Sequence, residues 1–314
     1  MASTTPKTTA NRRGATALDP SALMQIKSLS LRAKAVVEGY TSGIHRSPLH
    51  GFSVEFAEYR PYCDGDDPRT VDWKLLARTD RYYVKQYEDE TNRRCYIALD
   101  QSRSMSFGSG DYTKAEYAKT FAATLAYYLR SQRDAVGLIT CAGDQSTYLP
   151  PRTSRTHLQQ IIRVLDQESS ATETDLAAAL SQLAGLSHRR GLIVLVTDGL
   201  VEPETLSQPL GYLRGRGHEL VIVRILDRRE VDFQLPDNSM VKDMETGRRI
   251  FVKPEEARGQ YNERFTAHEK QLLDVCHGRS ARLLTLVTDQ PLASGLLEFV
   301  SGTGSIPATL GGTK

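Results

Sequence analysis

Two serines follow an aspartate at alternate positions, directly after a short apolar run that is typical of a buried strand. The run reads YIAL, and the polar residues after it are Asp100, Ser102 and Ser104. A carboxylate and two hydroxyls at this spacing can close a turn or cap a helix, since Asp and Ser favour both. They can also bind a cation through oxygen. The choice depends on which other donors the fold brings to the same place.

Two further segments carry oxygen donors beside apolar runs. The run GLIVLVT ends at Asp198, which Gly199 follows, and the segment TETDLAAAL opens a helix with Thr172 and Thr174. Together the three segments supply two carboxylates and several hydroxyls, with no histidine or thiol. Hard oxygen donors of this kind suit Mg²⁺, Mn²⁺ or Ca²⁺ rather than zinc or copper. A small divalent ion keeps positions for water, and one of them can accept an oxygen from another molecule.

The elements that must position these donors alternate between strands and helices from about residue 91 to 302. The apolar runs GLIVLVT, ELVIVRIL and ARLLTLVT are separated by helical patterns. Near-continuous apolar strands between helices indicate a parallel sheet that is covered on both faces. We therefore predict an α/β fold with a doubly wound, mostly parallel sheet flanked by helices. In such sheets ligands bind beyond the carboxyl ends of the strands, and both aspartates fall there.

The chain ahead of this domain is predicted to hold a helix and a loop-rich, β-containing segment within residues 19–90. Asp19 is the predicted N-cap of one helix of about 20 residues, with Pro20 at its first position. Residues 1–18 and 303–314 are expected to be disordered tails. Within the main domain, Pro209 is expected to break the helix that starts near Glu202.

The composition is that of an ordinary soluble protein. The 314 residues carry a net charge of +2, which does not point to nucleic acid. No apolar run approaches the roughly 18 residues that a membrane span needs, so no direct membrane insertion is expected. The four cysteines form no C-x-x-C pair, which favours buried thiols in a reduced compartment. We therefore expect a cytoplasmic protein, associated with a membrane only through partners.

The stretch from Phe56 to Arg78 reads F-x-E-Y-R-P-Y-x-x-G-D-D-P-R-T-V-D-W-K-L-L-A-R. It resembles the signature of the domain of unknown function 58 family, in which it precedes a von Willebrand factor A-like domain. The D-x-S-x-S triplet, the threonine before a helix and the T-D-G turn are similar to the metal-ion-dependent adhesion site of those domains. Where that family often has two glycines before the threonine, this chain has Thr172 and Glu173, and Thr172 is the reserve ligand. The resemblance implies these ligands: Asp100, Ser102, Ser104, Thr174 and Asp198.

The same resemblance implies a non-enzymatic protein-interaction module. A divalent ion, Mg²⁺ before Mn²⁺ or Ca²⁺, would leave a position open for an Asp or Glu of a partner. Family members often neighbour MoxR-type AAA+ ATPases, which implies such an ATPase, or its substrate, as the partner. The alternative is a phosphoryl-transfer enzyme of haloacid dehalogenase-like type with Asp100 as nucleophile. Such enzymes need a second aspartate two positions later, where this chain has Ser102.

Two further features have alternative interpretations. The G-D-D-P-R-T-V-D-W stretch can form a turn whose Trp73 packs in the core, or its charges can form a recognition surface. His157, His188 and His268 lie in or near polar helical segments, where we expect surface positions. The charged residues of the signature are Arg60, Asp66, Asp67, Arg69, Asp72 and Arg78.

Overall fold

The computed structural model describes residues 18–44, 58–63, 71, 73–79, 81–86, 93–142, 146–167, 175–233, 239–242 and 249–302. Contacts divide the chain into two units. The larger unit comprises Met1–Gly43 with Arg93–Lys314, and the smaller one Ile44–Asn92. The predicted domain limits stay predictions, and the predicted tails lie outside the described residues, except for Leu18.

The larger unit is built on a six-stranded sheet in the order β10-β7-β6-β3-β4-β5. All neighbouring strands are parallel except β4 and β5, which are antiparallel. This sheet, with helices between its strands, confirms the predicted α/β fold class. The sheet strands are β3 (Arg94–Asp100), β4 (Ala135–Cys141), β5 (Tyr148–Arg152), β6 (Leu192–Thr197), β7 (Glu219–Leu226) and β10 (Ala281–Val287). The remaining strands are β1 (Glu58–Pro61), β2 (Tyr83–Gln86), β8 (Ser239–Lys242) and β9 (Arg249–Val252).

Ten helices are present in the described part of the chain. They are α1 (Pro20–Met24), α2 (Leu29–Ile44), α3 (Trp73–Thr79), α4 (Lys114–Ser131), α5 (Arg155–Asp166), α6 (Leu176–Leu186), α7 (Pro203–Gly215), α8 (Arg228–Asp232), α9 (Pro254–Gly278) and α10 (Leu292–Ser301). None of these helices is long and apolar enough to cross a membrane.

The sheet is covered on both faces because side chains alternate along each strand. Tyr96 and Ala98 of β3 belong to one core with Leu180 of α6, Leu210 of α7 and Leu272 of α9. The intervening residues of β3 point to the opposite face, where α4 contacts four strands, β3, β4, β6 and β7. Both cores hold the strands in place, so the residues at the strand ends have fixed positions.

The N-terminal helix differs from its prediction. Asp19 caps α1 as expected, with its carboxylate accepting from the amide of Ala22. The helix ends at Met24, however, and α2 begins at Leu29. The side chain of Arg32 donates to the carbonyl of Ile26 at 2.5 Å, which holds the turn between the two helices. The prediction of a single helix was therefore wrong. The two helices belong to the larger unit.

Pro209 does not break its helix, contrary to expectation. It is buried inside α7, which continues to Gly215. A proline inside a helix removes one backbone hydrogen bond, and the apolar packing of Leu206, Leu210 and Leu213 against the sheet offsets that loss.

The smaller unit contains an antiparallel pair, β1 with β2, and the short helix α3. Trp73, the first residue of α3, is 61% exposed, so its predicted core position was wrong. Arg78 is exposed in the last turn of the same helix. Arg60 lies in β1, and the remaining signature charges, at positions 66, 67, 69 and 72, lie outside the described residues.

Candidate functional site

The carboxyl ends of β3 and β6 lie side by side at the point where the strand order of the sheet reverses. From β3 the chain continues to β4 and β5 on one side, and it returns to β6 on the other. The crevice at such a switch point is the usual ligand site of doubly wound sheets. Asp100 is the last residue of β3, and Asp198 directly follows β6. The structure therefore brings the two predicted carboxylates to neighbouring strand ends.

Asp100 is held by hydrogen bonds to both of its oxygens. Its Oδ1 accepts from the amide of Ser102 at 2.9 Å, and its Oδ2 accepts from the hydroxyl of Thr197 at 2.6 Å. The side chain of Thr197 accepts in turn from the amide of Gly199 at 3.1 Å. Asp100 and Thr197 each come one residue after the paired Leu99 and Val196. The register of β3 on β6 thus orients this carboxylate.

The charge of Asp100 lacks a partner. The residue is 2% exposed, and within the described ranges no lysine, arginine or histidine forms an ion pair with it. The pKa of Asp100 is raised to about 6, first by burial and then by the negative charge of Asp198, against the lowering effect of the hydrogen bonds from Thr197 and Ser102. A buried carboxylate in this state favours the approach of a cation.

The two serines belong to the segment after β3, with Ser102 directly before a 3₁₀ turn, Arg103–Ser106, and Ser104 inside it. The hydroxyl oxygens of Ser102 and Ser104 are 3.0 Å apart. Ser102 is the N-cap residue of the turn, yet its side chain makes no capping bond. The turn is closed by backbone instead, since the amide of Met105 donates to the carbonyl of Ser102 and that of Phe107 donates to the carbonyl of Ser104. The hydroxyls are therefore not needed to cap this turn.

Asp198 has the opposite environment from Asp100. Its Oδ1 accepts from the amide of Leu200 at 3.2 Å, and its Oδ2 accepts from the ammonium of Lys114 at 2.9 Å. Gly199, which lies between Asp198 and Leu200 in the chain, has a φ of 68°. This is a left-handed conformation that glycine adopts without strain. Like Asp100, Asp198 is 2% exposed, but its charge is compensated from within the protein.

Lys114 is the functional residue that the sequence reasoning missed. Its side chain is fully buried, and its ammonium lies 2.9 Å from Asp198 and 2.7 Å from Glu230 of α8. Burial lowers the pKa of Lys114, but the two carboxylates outweigh that effect and raise it above its ordinary value. The ammonium therefore stays charged.

One signal could have revealed this lysine. Lys114 is the first residue of α4, where the helix dipole disfavours a positive charge. The start of this helix is capped by Thr113 and Glu116 in a capping box. The following residues on the same helix, such as Tyr117 and Phe121, are buried. A lysine at the start of such a helix indicates that buried carboxylates lie nearby.

The short helix α8 carries Glu230, the second carboxylate that pairs with Lys114. Asp227 caps α8 and its Oδ2 also accepts from the amide of Ser109, in the segment between the 3₁₀ turn and α4. Burial raises the pKa of Asp227, but hydrogen bonds from Ser109 and Arg229 and the charge of Lys114 bring it below its ordinary value. The hydroxyl of Tyr261 donates to the carbonyl of Glu230 at 2.6 Å. Helix α9 thus supports the position of Glu230.

Helix α9 also contacts the loop that carries Asp198. A ring nitrogen of His268 lies 2.7 Å from the carbonyl oxygen of Gly199. The next residue of the helix, Glu269, pairs with buried Arg224 at 2.6 Å. His268 is half-buried rather than a surface group, and His157 is buried with its Nε2 2.9 Å from the carbonyl of Val136. The surface predictions for His157 and His268 were therefore wrong. In each of these residues one ring nitrogen contacts a backbone carbonyl oxygen.

The predicted second loop lies outside the described residues. The first described residue after it is Asp175, which caps α6 by accepting from the amide of Ala178 at 2.8 Å. Thr174 and its reserve Thr172 therefore remain predicted ligands. Among the described residues, no group of three or more His, Cys, Asp or Glu side chains is arranged to hold a metal, so a cation at this edge would depend on hydroxyl oxygens.

Several curated relatives of this chain are described as uncharacterized proteins. Those of Mycobacterium bovis and Mycobacterium tuberculosis are each 28% identical over 288 residues, covering 90% of this chain and 90% of the relative. A protein of Mycobacterium avium is 31% identical over 160 residues, which cover 49% of this chain and 92% of that protein.

Several solved structures are similar to this chain at low identity. An aerotolerance-related membrane protein from Bacteroides fragilis is 19% identical with a TM-score of 0.46, over 65% of this chain and 96% of that one. The conserved hypothetical protein BatB from Bacteroides thetaiotaomicron is 16% identical with a TM-score of 0.42, over 67% and 98%. The VWA domain of SpRpn10 is 14% identical with a TM-score of 0.43, over 65% and 93%.

The sequence profile of one protein family, described as "Protein of unknown function DUF58", matches residues 58–271. The match begins within the signature that starts at Phe56 and runs through the sheet to α9, over more than half of the chain. The chain therefore belongs to the DUF58 family, as the signature indicated.

Proposed function

We propose that this chain is a non-enzymatic protein-interaction module that captures a carboxylate of a partner protein through a divalent cation. Asp100, Ser102 and Ser104 would hold the cation, with Asp198 beside it and Thr174 as the ligand from the second loop. Mg²⁺ is the first candidate, with Mn²⁺ and Ca²⁺ as alternatives. When bound, the ion would supply the positive charge that Asp100 lacks and an open position for an external oxygen.

The observation that carries this proposal is the uncompensated charge of Asp100. At neutral pH a pKa of about 6 leaves the carboxylate mostly ionised in a buried position. The cost of that ionisation is about 3 kcal/mol relative to an ordinary aspartate. A protein that needed Asp100 only for its fold would be more stable with an amide or with an internal cation. A bound cation removes the cost.

The hydroxyl pair fits the same ion. In an octahedral Mg²⁺ site with bonds of 2.0–2.1 Å, neighbouring ligand oxygens are about 3 Å apart. The oxygens of Ser102 and Ser104 are 3.0 Å apart and belong to the loop that Asp100 begins. Because neither hydroxyl caps the turn, both are available to an ion. The donor set is all oxygen, as a hard cation requires.

The residues after Asp100 do not favour the phosphoryl-transfer alternative. The position two residues later is Ser102, which cannot act as the required carboxylic acid. The comparisons with known proteins give that alternative no support.

The partner belongs to the proposal as well. By resemblance to its family, we propose a MoxR-type AAA+ ATPase or a substrate of that ATPase as the protein that supplies the carboxylate. We propose that the two proteins bind to each other in the cytoplasm. The described residues include an exposed apolar side chain beside the site, Leu200, whose amide holds Asp198, and this side chain would contact the bound partner.

Cation binding is tested with Mn²⁺, whose free form gives a strong paramagnetic resonance signal. The full chain should bind Mn²⁺ saturably, and Mg²⁺ should displace it. Asp100→Ala should weaken binding by about tenfold or more, because it removes the only uncompensated carboxylate of the described set. Asp166→Ala, at the exposed end of α5, is the matched control and should bind as the unchanged chain does. Equal binding by Asp100→Ala would contradict the proposal.

Partner capture is tested with the MoxR-type ATPase of the same organism as bait. Retention of the chain should require Mg²⁺ and should be lost with EDTA or with Asp100→Ala, while Asp166→Ala is retained. Retention that survives both EDTA and Asp100→Ala would show that the two proteins associate by another surface.

A further inference from the structure

Lys114 occupies a position that a simple cation site does not require. Its ammonium is fully buried and is shared between Asp198 at 2.9 Å and Glu230 at 2.7 Å. Asp198 is one of the proposed cation ligands. A cation site gains affinity from free carboxylates, and here the protein itself neutralises one of them.

The lysine cannot leave this position without a large cost. The backbone amide of Lys114 donates to the carbonyl of Phe107 at 2.8 Å, and its ammonium lies 6.0 Å from the centre of the Phe107 ring. Lys114 therefore links the loop after β3, the loop after β6 and helix α8. If the ammonium moved out, buried Asp198 and partly buried Glu230 would both be left without a cation among the described residues. The ammonium is a fixed counter-ion.

A fixed counter-ion changes the charge that a divalent ion would meet. Asp198 and Glu230 share one ammonium, and Asp100 has no cationic partner in the described part of the chain. Each further carboxylate that stays uncompensated would strengthen the attraction for an ion. With one of its carboxylates neutralised, the site attracts a lone divalent ion less, and an added carboxylate from outside would restore the attraction.

We propose that Lys114 is an internal counter-ion that keeps the affinity of the site for a lone divalent cation low, so that stable occupancy requires a carboxylate from the partner. This inference rests on the proposed function and adds its regulation: the ion and the partner bind together. Lys114 acts through Asp198 and Glu230. It would hold these carboxylates in position and set the net charge that a divalent ion meets.

Two variants test the inference because they change the same charge cluster in opposite directions. Lys114→Met should bind Mn²⁺ about tenfold tighter or more than the unchanged chain, in the absence of any partner. Glu230→Gln leaves the whole ammonium to Asp198 and should bind Mn²⁺ about three- to tenfold more weakly. Lys34→Met removes an exposed lysine that pairs with Glu38 on α2, and it should leave Mn²⁺ binding unchanged.

Damage to the fold would lower Mn²⁺ affinity in both variants, so the opposite signs identify a charge effect. Circular dichroism melts in EDTA establish that each variant is folded. If Lys114→Met does not fold, Glu230→Gln carries the test alone, and unchanged affinity in that variant overturns the inference.

Other outcomes separate the two levels of the proposal. Mn²⁺ binding that depends on Asp100 but is the same, or weaker, in folded Lys114→Met overturns the role of Lys114 and leaves the proposed function standing. Absence of saturable Mn²⁺ binding by the unchanged chain and by folded Lys114→Met alike overturns the proposed function and the inference with it.

Discussion

The loops after β3 and β6 present the same residue type at the same edge of one sheet, but in opposite electrostatic states. Asp100 and Asp198 are each 2% exposed. Asp198 has an ammonium at 2.9 Å, whereas the donors to Asp100 among the described residues are neutral groups of Ser102 and Thr197. The described part of the chain compensates one charge and leaves the other without a cation. This difference is the reason for proposing the first loop as the ligand site.

The compensated loop carries its own cost. The start of α4 is a poor place for a lysine, since the helix dipole repels a cation there. At Lys114 this repulsion is offset because two carboxylates, of Asp198 and Glu230, pair with the ammonium. The uncompensated loop has the reverse balance, since the buried charge of Asp100 is unfavourable in the cation-free protein and the proposed cation would remove that cost. The four predictions below alter one loop at a time and are ordered by the expected size of the effect.

The largest effect is expected at the compensated loop. Lys114→Met should lower the free energy of unfolding in EDTA by about 3–5 kcal/mol, because breaking a buried ion pair strands its partner. Chemical denaturation at neutral pH measures the change. Lys34→Met, from an exposed pair on α2, should change the same quantity by about 0.5 kcal/mol or less. A loss for Lys114→Met as small as that of Lys34→Met would remove the contrast between the two loops.

The second effect is a pH dependence that originates at the uncompensated loop. The pKa of Asp100 is raised from 3.8 to about 6 in the folded chain, so between these values the folded state binds more protons than the unfolded state. Without metal, stability should therefore fall by up to about 3 kcal/mol as pH rises from about 4 to about 6, and then level off.

Denaturation curves in EDTA at a series of pH values measure this trend, with Asp100→Asn as the reference that lacks the titrating group. The difference in unfolding free energy between the two proteins should change with pH in that window. Parallel pH profiles would mean that Asp100 is already compensated, as Asp198 is.

The third effect is a gain in stability. At pH 7.5 in EDTA, Asp100→Asn should be more stable than the unchanged chain by about 2 kcal/mol, because the amide removes a buried charge and keeps the acceptor for the Ser102 amide. Saturating Mg²⁺ should stabilise the unchanged chain and leave the variant as it was. A variant that is less stable in EDTA, or that gains as much from Mg²⁺, would contradict the uncompensated state of Asp100.

The sequence predicted the part of this comparison that depends on strand order. Apolar runs ending at Asp100 and Asp198 define strand ends, and the parallel arrangement puts both ends at one edge of the sheet. The register of β3 on β6 then sets the contact with Thr197. These features follow from local patterns and a general rule of the fold, so a single sequence suffices to find them.

The sequence did not predict what decides the difference between the loops. Lys114 lies on α4, 84 positions before Asp198, and no local pattern couples the two. Its partner Glu230 belongs to the short helix α8, which the sequence reasoning did not identify. The contact of His268 with Gly199 is also long-range. Charge compensation in a buried site depends on which side chains the tertiary fold brings together, and periodicity does not carry that information.

The smallest effect on stability is expected for the hydroxyls of the uncompensated loop, and it decides what they are for. Ser104→Ala removes one hydroxyl, but the backbone bonds that close the turn remain, including the one from Phe107 to the carbonyl of Ser104. The unfolding free energy in EDTA should change by about 1 kcal/mol or less, while Mn²⁺ binding should weaken several-fold because an ion ligand is lost. Ser106→Ala, at an exposed position of the same turn, should change neither quantity. A large loss of stability with unchanged Mn²⁺ binding would mean that Ser104 serves the turn, and the first loop would then differ from the third in charge alone.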